Sequence, residues 1–199
     1  MGTPTVPVLF MKPSTSLADP YPTPTRAPRF SSTDDTCDYE SELCVVIGRA
    51  CKDVSEADAL SYVLEYTASN DISHRATQFE QSQWCFSKGF DGACPIGPVI
   101  VSQKLIPDPS ALQIRGWKNG RKMQDCSVGD LIFKVPKIVS FLSRSTTLEA
   151  GTIILTGTPA GVGFGCEPKE FLRGGDVFGV EVVPHVGTLF SVIEDVKKY

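Results

Sequence analysis

Residues 38–47 read DYESELCVVI: polar and apolar positions alternate at first and then give way to an unbroken apolar run. Alternation is the period-two signature of a strand, and a continuous apolar run marks a strand buried on both faces. The segment is therefore expected to be a strand that passes from half-buried to buried. Glu40 and Glu42 stand two residues apart on it, so both carboxylates share one face. Carboxylates that close repel each other unless a cation or a proton lies between them. Taken alone, the pair reads first as the solvent-facing side of an ordinary strand.

Downstream of this strand, Ser55 followed by Asp58 resembles a capping box in front of Ala59, Leu60, Val63 and Leu64, whose spacing predicts a helix. Asn119-Gly120 between residues 112–117 and 121–126 is a strong type I′ hairpin signal, because both central positions must take positive φ. Residues 130–143 (DLIFKVPKIVSFLS) are apolar at helical spacing, with Pro136 opening a fresh turn. Residues 152–156 read as a strand running into the glycine-rich loop 157–165, and residues 177–183 and 188–193 as a last hairpin. Strands outnumber helices and come in hairpins, which gives an α+β domain rich in β structure.

Seven of the fifteen prolines lie in the first 28 residues, where they remove backbone donors and fix φ. Residues 1–36 are thus expected to be an extended, Pro-rich segment packed on the domain, and 37–199 a single folded domain. A length of 199 residues with 41% hydrophobic content suffices for one core. The net charge of -4 leaves no basic stripe for phosphates, so nucleic acid is not expected as a partner. No apolar run approaches a membrane span, and residues 1–30 lack a signal-peptide layout. The expected location is cytoplasmic, with mitochondria as the alternative. Seven scattered cysteines without a CxxC pair, and only two histidines, argue against a zinc site and for small buried thiols in a reducing compartment.

Three further stretches are dense in side-chain chemistry. Residues 70–78 (NDISHRATQ) hold Asp71, His74, Arg75 and Gln78; residues 85–98 (CFSKGFDGACPIGP) set Lys88 among glycines and aromatics; residues 155–163 (LTGTPAGVG) form a turn after a strand. Read singly, they are a polar helix–strand connection, a solvated lysine and a turn without the spacing of a phosphate-binding loop. Their order, together with residues 7–14 (PVLFMKPS), 38–48 and 130–143, resembles the successive signatures of the fumarylacetoacetate hydrolase superfamily, in its acylpyruvate and fumarylpyruvate hydrolase-like branch, over essentially the whole chain.

That resemblance implies a β-roll of mixed sheets, of the kind found in the C-terminal domain of these enzymes, commonly a homodimer. It implies Glu40, Glu42 and Asp71 as ligands of a divalent ion, and three carboxylates suit Mg²⁺, Mn²⁺ or Ca²⁺. It further implies Arg75, Gln78, Lys88 and Thr158 as lining the pocket for a small dicarbonyl acid, with Lys88 the catalytic cation beside a developing enolate. The expected reaction is metal-dependent hydrolysis of the C–C bond of acylpyruvates. The alternatives are oxaloacetate decarboxylation, keto–enol isomerisation, or a catalytically silent metal-binding homologue. Many family members carry a His-x-x-Glu pair just upstream of the segment matching PVLFMKPS. The given sequence starts six residues before Pro7 and has no histidine until His74. A chain without that pair is expected to favour decarboxylation, which needs no activated water. His74 is expected to be a partly exposed neighbour of the metal block rather than a substitute proton carrier, and His185 a surface residue.

Overall fold

The computed structural model describes residues 2–195. In chain order the strands are β1 (Leu17–Ala18), β2 (Thr25–Ala27), β3 (Cys37–Asp38), β4 (Ser41–Ile47), β5 (Val63–Asn70), β6 (Ser73–His74), β7 (Cys94–Ser102), β8 (Gln113–Lys118), β9 (Arg121–Ser127), β10 (Ile153–Leu155), β11 (Val177–Val183) and β12 (Gly187–Asp195). The helices are short: α1 (Ser31–Asp34), α2 (Arg75–Glu80), α3 (Cys85–Lys88) and α4 (Val135–Leu142). Two five-stranded mixed sheets, ordered β1-β7-β5-β4-β10 and β2-β12-β11-β8-β9, pack face to face, and β3 pairs with β6 beside them.

The alternation along β4 explains where the core sits. Leu43, Val45 and Ile47 enter the core between the sheets with Tyr66 and Ala68 of β5 and Phe178, Val180 and Val182 of β11. The intervening positions, Glu42 and Cys44, are buried on the opposite face. Tyr39 stacks on Phe178 with ring centroids 4.3 Å apart, closing one end of the core. Burial of such apolar and aromatic side chains contributes about 1.5–3 kcal/mol each.

The local signals hold where chemistry is local. Asn119 and Gly120 take φ of 50° and 79° between β8 and β9, as a type I′ turn demands. Pro136 sits in the first turn of α4, and β11 and β12 form the last hairpin. The helix expected after Ser55 does not form. The Asp58 N–H does donate to Ser55 Oγ, whose hydroxyl donates in turn to Asp58 Oδ2, but only a single 3₁₀ turn, Ala59–Tyr62, follows. Val63, Tyr66 and Thr67 are β-branched or aromatic, and from Val63 the chain instead pairs with β4 and β7. Strand β4 also differs from expectation: the pattern there marks two buried faces, not a half-exposed one.

The Pro-rich segment runs extended and supplies an edge strand to each sheet, β1 parallel to β7 and β2 parallel to β12. Its stretch Val6, Val8, Leu9 and Met11 is 56–69% exposed, and Phe10 and Lys12 turn inward instead. Among the described residues no helix is long and apolar enough to cross a membrane. All seven cysteines are free, four of them buried.

Candidate metal centre

Three segments converge on one face of the first sheet. Glu40 lies in the break between β3 and β4, Glu42 on β4, and Asp71 just past the end of β5, where its N–H donates to the Glu40 carbonyl. One carboxylate oxygen from each lies within 4.8 Å of the others, and all three residues are buried. The solvent-facing reading of Glu40 and Glu42 is thus overturned: loop 156–160 and the N-terminal segment cover the face that local alternation leaves open.

The charges are matched unevenly. Lys88, at the C-terminal end of α3, is 2% exposed, and its Nζ bridges Glu40 Oε2 and Asp71 Oδ2, each at 2.8 Å, while donating to Ser73 Oγ at 2.6 Å. The sequence suggests a solvated loop lysine at this position; it is instead one of the most deeply buried side chains in the fold. Burial alone would lower its pKa, but Glu40, Asp71 and Glu42 outweigh burial and raise it, so the ammonium is retained. Lys12 reaches the other Asp71 oxygen at 2.7 Å and also donates to the carbonyls of Lys88 and Ala93. Burial would raise the Asp71 pKa, and these two lysines reverse that and hold it low. Glu42 differs. It accepts from the Gly157 N–H at 2.6 Å but has no hydrogen-bonded cation, and burial together with the charges of Asp71 and Glu40 pushes its pKa well up. A buried carboxylate short of one positive charge, beside two more hard oxygen donors, fits a divalent ion.

Arg75 opens α2 and organises the flank. Its Nε donates to Asp38 Oδ2 at 2.8 Å and its Nη1 to Glu40 Oε1 at 2.7 Å and Gln78 Oε1 at 2.9 Å. Its Nη2 is buried without a hydrogen-bond partner. Thr158 donates to the Ser41 carbonyl and accepts from Gln124, and it walls the cavity beside Glu42. The seven residues expected at the site lie close together, but Glu42 and Thr158 alone among them line the cavity, and Arg75, Gln78 and Lys88, expected to line it, are buried outside its wall.

His74 does not join them. On β6 successive side chains alternate, so Ser73 faces Lys88 while His74 turns the other way, 1% exposed rather than partly exposed. Its Nε2 meets Asp34 Oδ1 at 2.9 Å, its Nδ1 accepts from the Thr77 N–H at the start of α2, and its ring packs edge-on against Phe30. Both nitrogens are engaged in holding α1 and α2. His185 is exposed in the β11–β12 turn.

Two groups escape sequence reasoning. Lys12 sits in the quoted 7–14 stretch, but nothing local announces a partner 59 residues away. Asp38, fully buried, accepts from the N–H groups of Tyr39, Gly163 and Phe164 and from Arg75, tying the glycine-rich loop to the carboxylates. Gly163 is required there: a Cβ would lie 1.9 Å from the Glu170 carbonyl oxygen and 2.7 Å from Asp38 Oδ1. We expect Asp38→Asn to lower stability by about 2 kcal/mol or more, since each carboxylate oxygen accepts two N–H groups and the amide nitrogen must oppose two of the four donors; an unchanged denaturant midpoint would contradict this hub. Lys12→Met is expected to speed chymotryptic cleavage after Leu9 or Phe10 several-fold, because three acceptors lose the anchor of the segment. An unchanged cleavage rate would mean the segment is held elsewhere.

Comparison with known proteins agrees with this fold. The family model for the fumarylacetoacetate hydrolase C-terminal domain matches residues 1–194. Caffeoylpyruvate hydrolase of Neonothopanus nambi is 41% identical over 202 aligned residues, covering 99% of this chain and 63% of that protein. Oxaloacetate tautomerase YisK of Bacillus subtilis is 44% identical over 156 residues, covering 78% of this chain and 52% of its own length. The chain thus spans about half to two-thirds of the length of these curated relatives. Among solved structures, fumarylacetoacetate hydrolase from Exiguobacterium antarcticum superposes with a TM-score of 0.88 at 36% identity, covering 95% of this chain and 66% of that one. The 2-hydroxyhepta-2,4-diene-1,7-dioate isomerase from Mycobacterium marinum superposes with a TM-score of 0.87 at 39% identity, covering 98% and 72%. Fold, carboxylate trio and family match coincide along the whole described chain, which belongs to the fumarylacetoacetate hydrolase family.

Proposed function

We propose that this chain is a divalent-metal-dependent enzyme that cleaves the C–C bond of acylpyruvate-type β-dicarbonyl acids. The observation that carries the reading is the buried trio Glu40, Glu42 and Asp71, with Lys88 bridging two members and the third short of a cation. Three carboxylates suit Mg²⁺ or Mn²⁺, with Ca²⁺ as a further candidate, and such an ion supplies Lewis acidity toward the oxygens of a 2-oxo acid.

In hydrolysis, water adds to the acyl carbonyl and the bond from that carbon to the methylene of the pyruvate part breaks. The bonding pair passes into the pyruvate enolate, a proton converts it to pyruvate, and the acyl part leaves as a carboxylic acid. Glu40, Asp71 and Ser73 take all three donors of Lys88, so its buried, fixed ammonium stabilises enolate charge through its field and not through a hydrogen bond of its own. Arg75 Nη2 is a buried donor free for a substrate oxygen, and Gln78 and Asp38 keep the guanidinium in place. Thr158 places the glycine-rich loop at the rim.

A second reading, oxaloacetate decarboxylation or keto–enol exchange, is favoured by one observation. Lys88 serves an enolate in every case, whereas His74 points away from the trio and cannot take a proton from water there. Assaying this chain with Mn²⁺ against acetylpyruvate and oxaloacetate separates the readings. Mn²⁺-dependent release of pyruvate and acetate from acetylpyruvate is expected. Turnover of oxaloacetate alone would establish the second reading, and tight Mn²⁺ binding without turnover of either would identify a silent homologue.

A further inference from the structure

We propose that the site selects β-dicarbonyl acids whose acyl group is uncharged and apolar, aromatic or medium-chain alkyl, over those ending in a second carboxylate. The proposal rests on the reading above, which places the 2-oxo acid end at Glu40, Glu42 and Asp71. A cavity of about 910 Å³ reaches the trio at Glu42, the member that lines it, where it is bounded also by Lys12, Gly157 and Thr158. Its size lies within the range of about 300–1,000 Å³ usual for small-molecule pockets, far more than an acetyl group needs. Beyond the carboxylates it is walled by Leu131, Phe133, Ile138 and Leu142 from the α4 region and by Ile153 and Leu155 of β10.

Charge settles what kind of tail fits. Among the described residues that wall the cavity, the charged ones are Lys12, Glu42 and Asp130. Lys12 is the one cation, and it is already committed to Asp71 and two backbone carbonyls at the metal end. A carboxylate carried beyond the metal end would lose hydration and meet hydroxyls of Ser127, Thr146, Thr147 and Thr152 but no free cation, and it would share the cavity with Asp130. A phenyl or alkyl tail loses nothing there and leaves water for the side chains of α4 and β10. Discrimination of this kind comes as much from the missing partner as from the attractive contact.

Three 2-oxo acids that lack the second carbonyl, and so cannot be cleaved, isolate the tail: 2-oxobutanoate, 4-phenyl-2-oxobutanoate and 2-oxoadipate. Calorimetric titration into the chain with Mn²⁺ is expected to give 4-phenyl-2-oxobutanoate an affinity about 10- to 100-fold above that of 2-oxobutanoate, the range that burial of one aromatic ring yields. No gain is expected for 2-oxoadipate. Leu142→Lys, which puts a cation on the cavity wall, should narrow or invert that preference while the Mn²⁺ affinity stays unchanged. Equal affinity of the phenyl and the short acid, as when another copy of the chain fills the cavity, would overturn the proposal, and so would preference for 2-oxoadipate by the unaltered chain. Failure of all three acids to bind would instead remove the 2-oxo acid reading itself, and this proposal with it.

Discussion

Glu42→Gln is expected to raise the melting temperature of the metal-free chain and, at the same time, to weaken Mn²⁺ binding by about 100-fold or more. Glu42 is buried, has no hydrogen-bonded cation, and faces the like charges of Asp71 and Glu40. The amide keeps an acceptor for the Gly157 N–H and removes the charge. Relief of about 1–2 kcal/mol follows from losing a poorly compensated buried carboxylate. For a domain of this size that is about 2–8 °C. The ion loses an anionic donor, and even outer-shell changes at metal sites cost about 10- to 100-fold in affinity. Thermal melts with and without Mn²⁺ read both effects. A variant that is less stable without metal yet binds Mn²⁺ normally would mean that Glu42 is a structural acid.

Lys88→Met is expected to act in the opposite sense. Two carboxylates of the candidate trio, Glu40 and Asp71, lose a shared ammonium at 2.8 Å in a buried setting, and stripping one partner from such a cluster costs about 3–5 kcal/mol. Mn²⁺ replaces the missing positive charge, so the stabilisation it confers should be larger in the variant than in the parent. Turnover should still fall by about 10²-fold or more, because a fixed cation at the enolate oxygen is gone. From the sequence alone, a lysine in a glycine-flanked loop suggests loss of turnover with metal affinity nearly intact. The ion pairs add the stability effect and tie it to the metal. Calorimetry combined with melts tests this, and an unchanged metal-free melting temperature would contradict the bridging geometry.

What was legible in the sequence was legible for local reasons. Asn119-Gly120 forces positive φ at two adjacent residues, and Pro136 removes a donor that the first helical turn does not need, so both features stand wherever the chain goes. The Ser55–Asp58 cap is equally local and equally real, yet the helix behind it gives way because residues 63–70 gain more by pairing between β4 and β7. The placing of Glu40 beside Glu42 followed from strand geometry, even though Glu40 lies one residue before β4 begins. Their burial did not, since the cover comes from loop 156–160, over a hundred positions away in sequence. Asp38 and Lys12 are a further step removed: each works through partners fixed only by the fold, Gly163 and Phe164 for one and Asp71 for the other. The family resemblance supplied Lys88 and Arg75 as site residues, and the fold adds that both are ion-paired to carboxylates of the candidate trio.

The central claim is that one divalent ion is held by Glu40, Glu42 and Asp71. A crystal of the chain grown with Mn²⁺, with anomalous difference density recorded at the manganese edge, tests it most directly. The expected result is a single strong peak within about 2.0–2.6 Å of one carboxylate oxygen from each of the three residues. A peak away from the trio, or a fully Mn²⁺-saturated crystal with Lys88 still closing Glu40 against Asp71 and no density between them, would contradict it.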